Sequence, residues 1–220
     1  MRNLLKKKVA LVVVAAVLAC AVAIPGVIAY LTDNEFHVNS GNISPVKVEV
    51  VEDYEPPRIA DYVPGGTVEF KKTISATNAG EADCYIRMAL EFSDDKMAAS
   101  SLLSPDGTNW YTVAEFKNHL PEGWIYLDDA ELGGPYYYYT GIVRAVSKDA
   151  GGNIVRRAES TPVLLQRVRT TLSADSPANY YDIYAYAEAV QTLSNTGERL
   201  TGTDAALNTW RSFLKNRPAD

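Results

Sequence analysis

Few side chains in this sequence are of types that do covalent or metal chemistry, and their spacing limits what each can do. The chain has two histidines, His37 and His119. Neither sits in a His-Glu-x-x-His segment, which would set two imidazoles one helical turn apart on a zinc ion. With no third histidine and no cysteine pair outside the leader, a structural zinc site is not expected. No Gly-x-Ser-x-Gly elbow and no Gly-x-x-x-x-Gly-Lys phosphate loop occurs. The acid pairs Asp94-Asp95 and Asp128-Asp129 lack the Asp-x-Asp-x-Asp-Gly spacing of a calcium loop, so solvated loop carboxylates are expected. Cys84 alternates with Ile86, Met88, Leu90 and Phe92, which reads as a buried core thiol rather than a nucleophile. Tyr136, Tyr137, Tyr138 and Tyr139 are consecutive, so a strand would send two to each face. Stacking on sugars is one use for them; strand propensity and core packing are the other. The inventory predicts no catalytic residue, no metal and no cofactor, and so no enzyme.

The ends and the charge narrow the setting. Arg2 and Lys6, Lys7 and Lys8 form a cationic opening, and every residue from Val9 to Ile24 is apolar. Pro25-Gly26 breaks a helix before Val27-Ile28-Ala29, a pattern that predicts a signal peptide over 1–29 cut between Ala29 and Tyr30. A retained anchor is the alternative, since the apolar run reaches the ~20 residues of a membrane span. Leu18-Ala19-Cys20 also hints at lipidation, although the apolar run continues beyond it. Cleavage would leave 17 Lys+Arg against 27 Asp+Glu, a charge near −10 that repels phosphate backbones and argues against nucleic-acid binding. Residues 30–220 would keep one cysteine, so packing rather than a disulfide must hold the fold. A bacterial exported, extracellular protein is the expectation.

The elements that position these groups are mostly strands. Val46, Val48 and Val50 alternate with polar residues, Thr67–Thr77 forms a second run, and Cys84–Phe92 a third. The stretch 93–120 is less regular: Ser104-Pro105-Asp106-Gly107 marks a turn, and 113–120 suits a short helix. Strands are expected at Trp124–Leu127, around Tyr136–Val143, at Val163–Val168 and over Tyr180–Leu193. Thr203 and Asp204 can cap a C-terminal helix whose Leu207, Trp210, Phe213 and Leu214 share one face. About eight strands and one or two short helices predict an all-β, jelly-roll-like β-sandwich in a single domain over 30–220.

Several segments in one order resemble the TasA/camelysin family of bacterial biofilm-matrix and surface proteins. Ala29-Tyr30-Leu31-Thr32-Asp33 looks like the junction cut by the signal peptidase SipW, and Phe36, Asn39, Gly41 and Ile43 look like the segment that follows it. Val63-Pro64-Gly65-Gly66 is similar to the family's Pro-Gly-Asp turn, with Gly66 in place of the aspartate. Asn78-Ala79-Gly80 with Tyr85-Ile86-Arg87, then Trp124, Tyr136–Tyr139, Thr161–Leu164, Ala187-Glu188-Ala189-Val190-Gln191 and Trp210 with Phe213, extend the likeness over nearly the whole chain. The resemblance implies a jelly-roll-like domain, export through SipW, cell-surface association, and in many members assembly into extracellular fibres with itself or related matrix subunits. Some members carry a metalloprotease label, which the residues here do not support.

An assembly route follows from the N-terminal strand. Ile43, Val46, Val48 and Val50 lie behind the short polar segment Asn39–Asn42, placed to add to a sheet of a neighbouring subunit. Burying those four side chains is worth about 6–10 kcal/mol, and some backbone hydrogen bonds add roughly 3–7. Association costs about 4–15 kcal/mol, so a fully docked strand is required. The alternatives are a monomeric secreted domain with the strand in its own sheet, a surface adhesin using exposed tyrosines, and, least favoured, a hydrolase using His37 or His119.

Overall fold

A computed structural model of the chain describes residues 46–56, 65–171, 182–192 and 204–216, all within one unit spanning Phe36–Asp220. Period-two alternation builds two antiparallel sheets. The first has five strands: β1 (Val48–Glu55), β2 (Thr67–Asn78), β4 (Ser101–Ser104), β5 (Tyr111–Thr112) and β10 (Leu165–Thr171), in the order β1-β2-β10-β4-β5. The second has four: β3 (Cys84–Phe92), β6 (Trp124–Asp129), β7 (Gly134–Tyr139) and β11 (Ile183–Gln191), in the order β11-β3-β7-β6. A separate hairpin pairs β8 (Ser147–Lys148) with β9 (Ile154–Arg156). The result is a mostly β, sandwich-like fold.

The core lies between the two larger sheets. Phe70, Ile74 and Ala76 of β2 and Val168 of β10 meet Ile86 and Met88 of β3, Tyr137 of β7 and Ala187 of β11 in one buried cluster. Alternation explains the in-facing set of β2, where positions 68 to 78 at every second residue are buried. In β3 the rule breaks, since all five residues Cys84–Met88 are buried. The outward face there is covered by the C-terminal helix α3 (Ala205–Lys215), whose Trp210 joins Tyr138, Leu132 and Val190 in a second cluster.

Helices are short elsewhere. Asp94 caps α1 (Asp95–Ala99) by accepting from the Met97 N–H. The helix expected over 113–120 forms only as α2 (Val113–Phe116), opened by a reciprocal Thr112/Glu115 capping box. Asp129 caps a 3-10 turn (Ala130–Leu132), so one member of each acid pair is a helix cap. Asp204 stands at the start of α3 but makes no capping hydrogen bond; Thr203 lies outside the described residues.

The irregular middle differs most from expectation. Ser101–Ser104 is a strand paired on one side with β10 and on the other with β5. Its sequence, Ser-Leu-Leu-Ser, is too short to show alternation. The expected turn after it is present: Asp106 accepts from the N–H groups of Thr108 and Asn109, and Gly107 takes φ 79°. The strand expected from Val163 starts at Leu165; before it, Thr161 and Leu164 bond β2 through Thr161 N–H to Ala76 O and Leu164 N–H to Ile74 O.

Candidate functional site

β1 is an edge strand. It pairs along all eight residues with β2, from Val48 opposite Asn78 to Glu55 opposite Lys71, and among the described residues no strand pairs with its other side. Val46, Val48 and Val50 are half-buried and pack against the main core, and β1 also meets β11 of the facing sheet. Of the four residues expected to form the assembly strand, Val48 and Val50 are therefore found in the chain's own sheet, and Val46, just before it, packs on the core. Ile43 and the Ala29/Tyr30 junction lie outside the described residues.

Beyond Val50 the strand turns acidic and exposed. Glu52 holds Lys72 at 2.8 Å, a lysine that is only 7 % exposed. On the opposite face Lys71 bridges Asp53 and Glu55 at 2.5 and 3.4 Å. Tyr54 meets Phe70 edge to face at 5.8 Å and lies under the Lys72 ammonium. Two large apolar side chains nevertheless remain in solvent here, Val51 and Tyr54. Charges of this kind on an edge oppose indiscriminate edge-to-edge pairing.

The second constellation is buried and centres on Arg87. Its guanidinium donates from Nε to Glu188 at 2.6 Å and from Nη1 to the Leu132 carbonyl at 2.5 Å and the Tyr138 hydroxyl at 3.2 Å. It lies 3.8 Å from the Tyr136 ring centre and 4.3 Å from that of Trp210. Strand pairing sets this up, because Arg87 is opposite both Glu188 on β11 and Tyr138 on β7. Stacked, forked and paired, a guanidinium satisfies the requirements of a buried cation. Trp210 contributes ring contacts only, its indole N–H having no hydrogen-bond partner. The arrangement fastens α3 to the second sheet.

The tyrosine run is absorbed by the same packing. Tyr137 and Tyr139 face the core side, against Phe116, Tyr126 and Trp124, while Tyr136 and Tyr138 face α3. Burial pushes the Tyr137 hydroxyl well above its ordinary range. Cys84 is fully buried, with Sγ 3.7 Å from the Val143 carbonyl, and burial pushes its thiol up to about 12. His119 is exposed and stacks flat on Tyr111 at 3.9 Å; His37 lies outside the described residues. Among the described residues no group of three His, Cys, Asp or Glu side chains is placed to hold a metal ion. Arg87 was not singled out from the sequence as a centre. The available signal was a long apolar stripe on α3 that needed a second sheet face, and Arg87 and Glu188 both alternating onto that face.

Comparison with models of known protein families gives no match, and no curated protein matches the chain either.

Proposed function

We propose that the protein is an exported, fibre-forming structural subunit of an extracellular matrix, of the TasA type, with a jelly-roll-like domain that assembles through its N-terminal strand. The observation that carries this reading is the position of β1: first strand in the described chain, at a sheet edge, held by one neighbour and by half-buried Val46, Val48 and Val50. A strand so placed can leave its own sheet and take the same register on the β2 of a second copy. The hydrogen bonds and valine contacts are then made in trans, which is how strand exchange joins subunits at low cost. SipW-type processing would free the segment leading into β1.

The test uses the exported chain recovered from culture medium, concentrated stepwise and viewed by negative-stain electron microscopy. Ordered fibres are expected from the natural sequence. Val48→Asp should remain monomeric, and the milder Val48→Ala should raise the concentration at which fibres appear. Fibres of normal length and yield from both variants would refute assembly through this strand.

A further inference from the structure

The inward side of β1 changes character along its length. Val48 and Val50, with Val46 just before them, pack on the main core, and Glu52 and Tyr54 follow at the same alternate positions. The valines fit their slot without fixing the register. Side chains of a strand repeat every two residues, so a shift of two sets valine where valine was. The second half of the strand has to break that degeneracy.

Lys72 is placed to do so. It lies on the inward face of β2 between Phe70 and Ile74 and is 7 % exposed. Its ammonium donates to Glu52 at 2.8 Å and lies 5.2 Å from the ring centre of Tyr54, the residue directly opposite. Lys71, on the outer face, pairs with Asp53 and Glu55 in solvent, where water substitutes for either acid. A buried ammonium has no such substitute and needs its carboxylate.

The pairing shows what a slip would do. Moving β1 so that Val50 faces Asn78 carries Glu52 opposite Ala76, which is fully buried, and parts it from Lys72. The reverse slip keeps Glu52 beside Lys72 but sets Glu55 across from Glu69, and like charges directly opposite destabilise a strand pair. Within one chain the connection over residues 56–66 also limits the register. Between chains no connection does, and the side chains alone must specify it.

We infer that Lys72 is the residue by which the slot on β2 selects its strand, admitting the β1 of a second copy because that strand brings Glu52 to it. This rests on the strand-exchange reading and deepens it: the valines supply adhesion, and the buried lysine supplies partner choice and register. A strand with an apolar residue in place of Glu52 strands the ammonium and is rejected, a specificity built on an unpaired charge in the wrong complex.

The test reverses the pair in the exported chain and views fibres by negative-stain electron microscopy. A chain carrying both Lys72→Glu and Glu52→Lys keeps a matched pair and should form fibres of its own. Mixed in equal amounts with the natural chain, it should sort into separate fibres, with joints between unlike copies about 10-fold or more rarer than chance. Immunogold of two sizes, on tags appended after Asp220, distinguishes the copies. Each single change is mismatched with itself and should need about 10-fold more protein to start fibres. The two single variants mixed should recover, because each strand then meets a slot of opposite charge. Random mixing of natural and reversed copies, or single variants that assemble as readily as the natural chain, would overturn selection by Lys72 and leave strand exchange to the Val48 variants. A doubly reversed chain that makes no fibres, or that circular dichroism shows to be unfolded, would show that the pair is not a self-contained key and would overturn it too. A natural chain without fibres at any concentration would remove strand exchange itself, and selection in trans with it.

Discussion

Replacing Arg87 by methionine tests whether the buried guanidinium fastens the C-terminal helix. The change keeps most of the side-chain volume and removes the charge. It leaves the Glu188 carboxylate, 22 % exposed, without its cation and withdraws the donor to the Leu132 carbonyl. Removing one partner of a buried ion pair costs roughly 3–5 kcal/mol. Losing a desolvated cation between Tyr136 and Trp210 adds about 2 kcal/mol, and methionine against the same rings returns about 1. A net loss of about 4–6 kcal/mol is expected, a large share of the ~5–15 kcal/mol that holds a domain together. Urea unfolding followed by far-ultraviolet circular dichroism and tryptophan emission reads it as a lower midpoint with unchanged slope. Glu188→Gln should cost less, because the guanidinium keeps its carbonyl and ring contacts. In the double variant the second change removes a charge already stranded, so the losses should fall short of additive by about 1–3 kcal/mol. A loss below about 1 kcal/mol for Arg87→Met, or strict additivity with Glu188→Gln, would refute the clamp.

Cys84, whose thiol burial and the nearby Asp83 charge push up to about 12, should resist a disulfide reagent at pH 8 in the folded protein and react at once in urea; fast stoichiometric labelling without denaturant would contradict its placement in the core. Acid stability should be set by carboxylates held below their ordinary range: Glu69 by hydrogen bonds from Arg169 and Arg167, Asp106 by the Asn109 and Thr108 donors, and Asp149 by Asn153. Depressed acids contribute stability that is complete above the unfolded values near 4.5 and 3.8 and is lost as pH falls through the lower folded ones. Urea midpoints should therefore hold steady from neutrality to about pH 5 and fall below it; a midpoint flat to pH 3 would show that these pairs do nothing for the fold.

What the sequence made legible was whatever alternates. Strands β2, β3 and β11 follow from apolar residues at every second position, and β7 from its run of tyrosines, whose split between two faces follows from the strand period. The helix stripe of Leu207, Trp210 and Phe213 was equally plain, and it packs as a stripe should. The Ser101–Ser104 strand was hidden because four residues carry almost no period and one of its two neighbours, β10, comes from a distant part of the chain. The β8–β9 hairpin was hidden for a different reason. Its apolar residues face water, so pattern reading that seeks a buried face passes over them. Arg87 escaped because a charge in a strand normally signals solvent, and only the pairing with Glu188 and the helix above reverses that.

The same distinction bears on β1. Its first half obeys the burial pattern, with Val46, Val48 and Val50 toward the core, and its second half obeys none, with every residue from Val51 to Glu55 exposed. In that second half Tyr54 packs on Phe70 under Lys72, the carboxylates of Glu52, Asp53 and Glu55 hold Lys72 and Lys71 of β2, and Val51 is left in solvent. On the proposed reading the two halves divide the work: the ion pairs to Lys71 and Lys72 keep β1 in register on β2, and the valine contacts are those that the sheet of a second copy would take over.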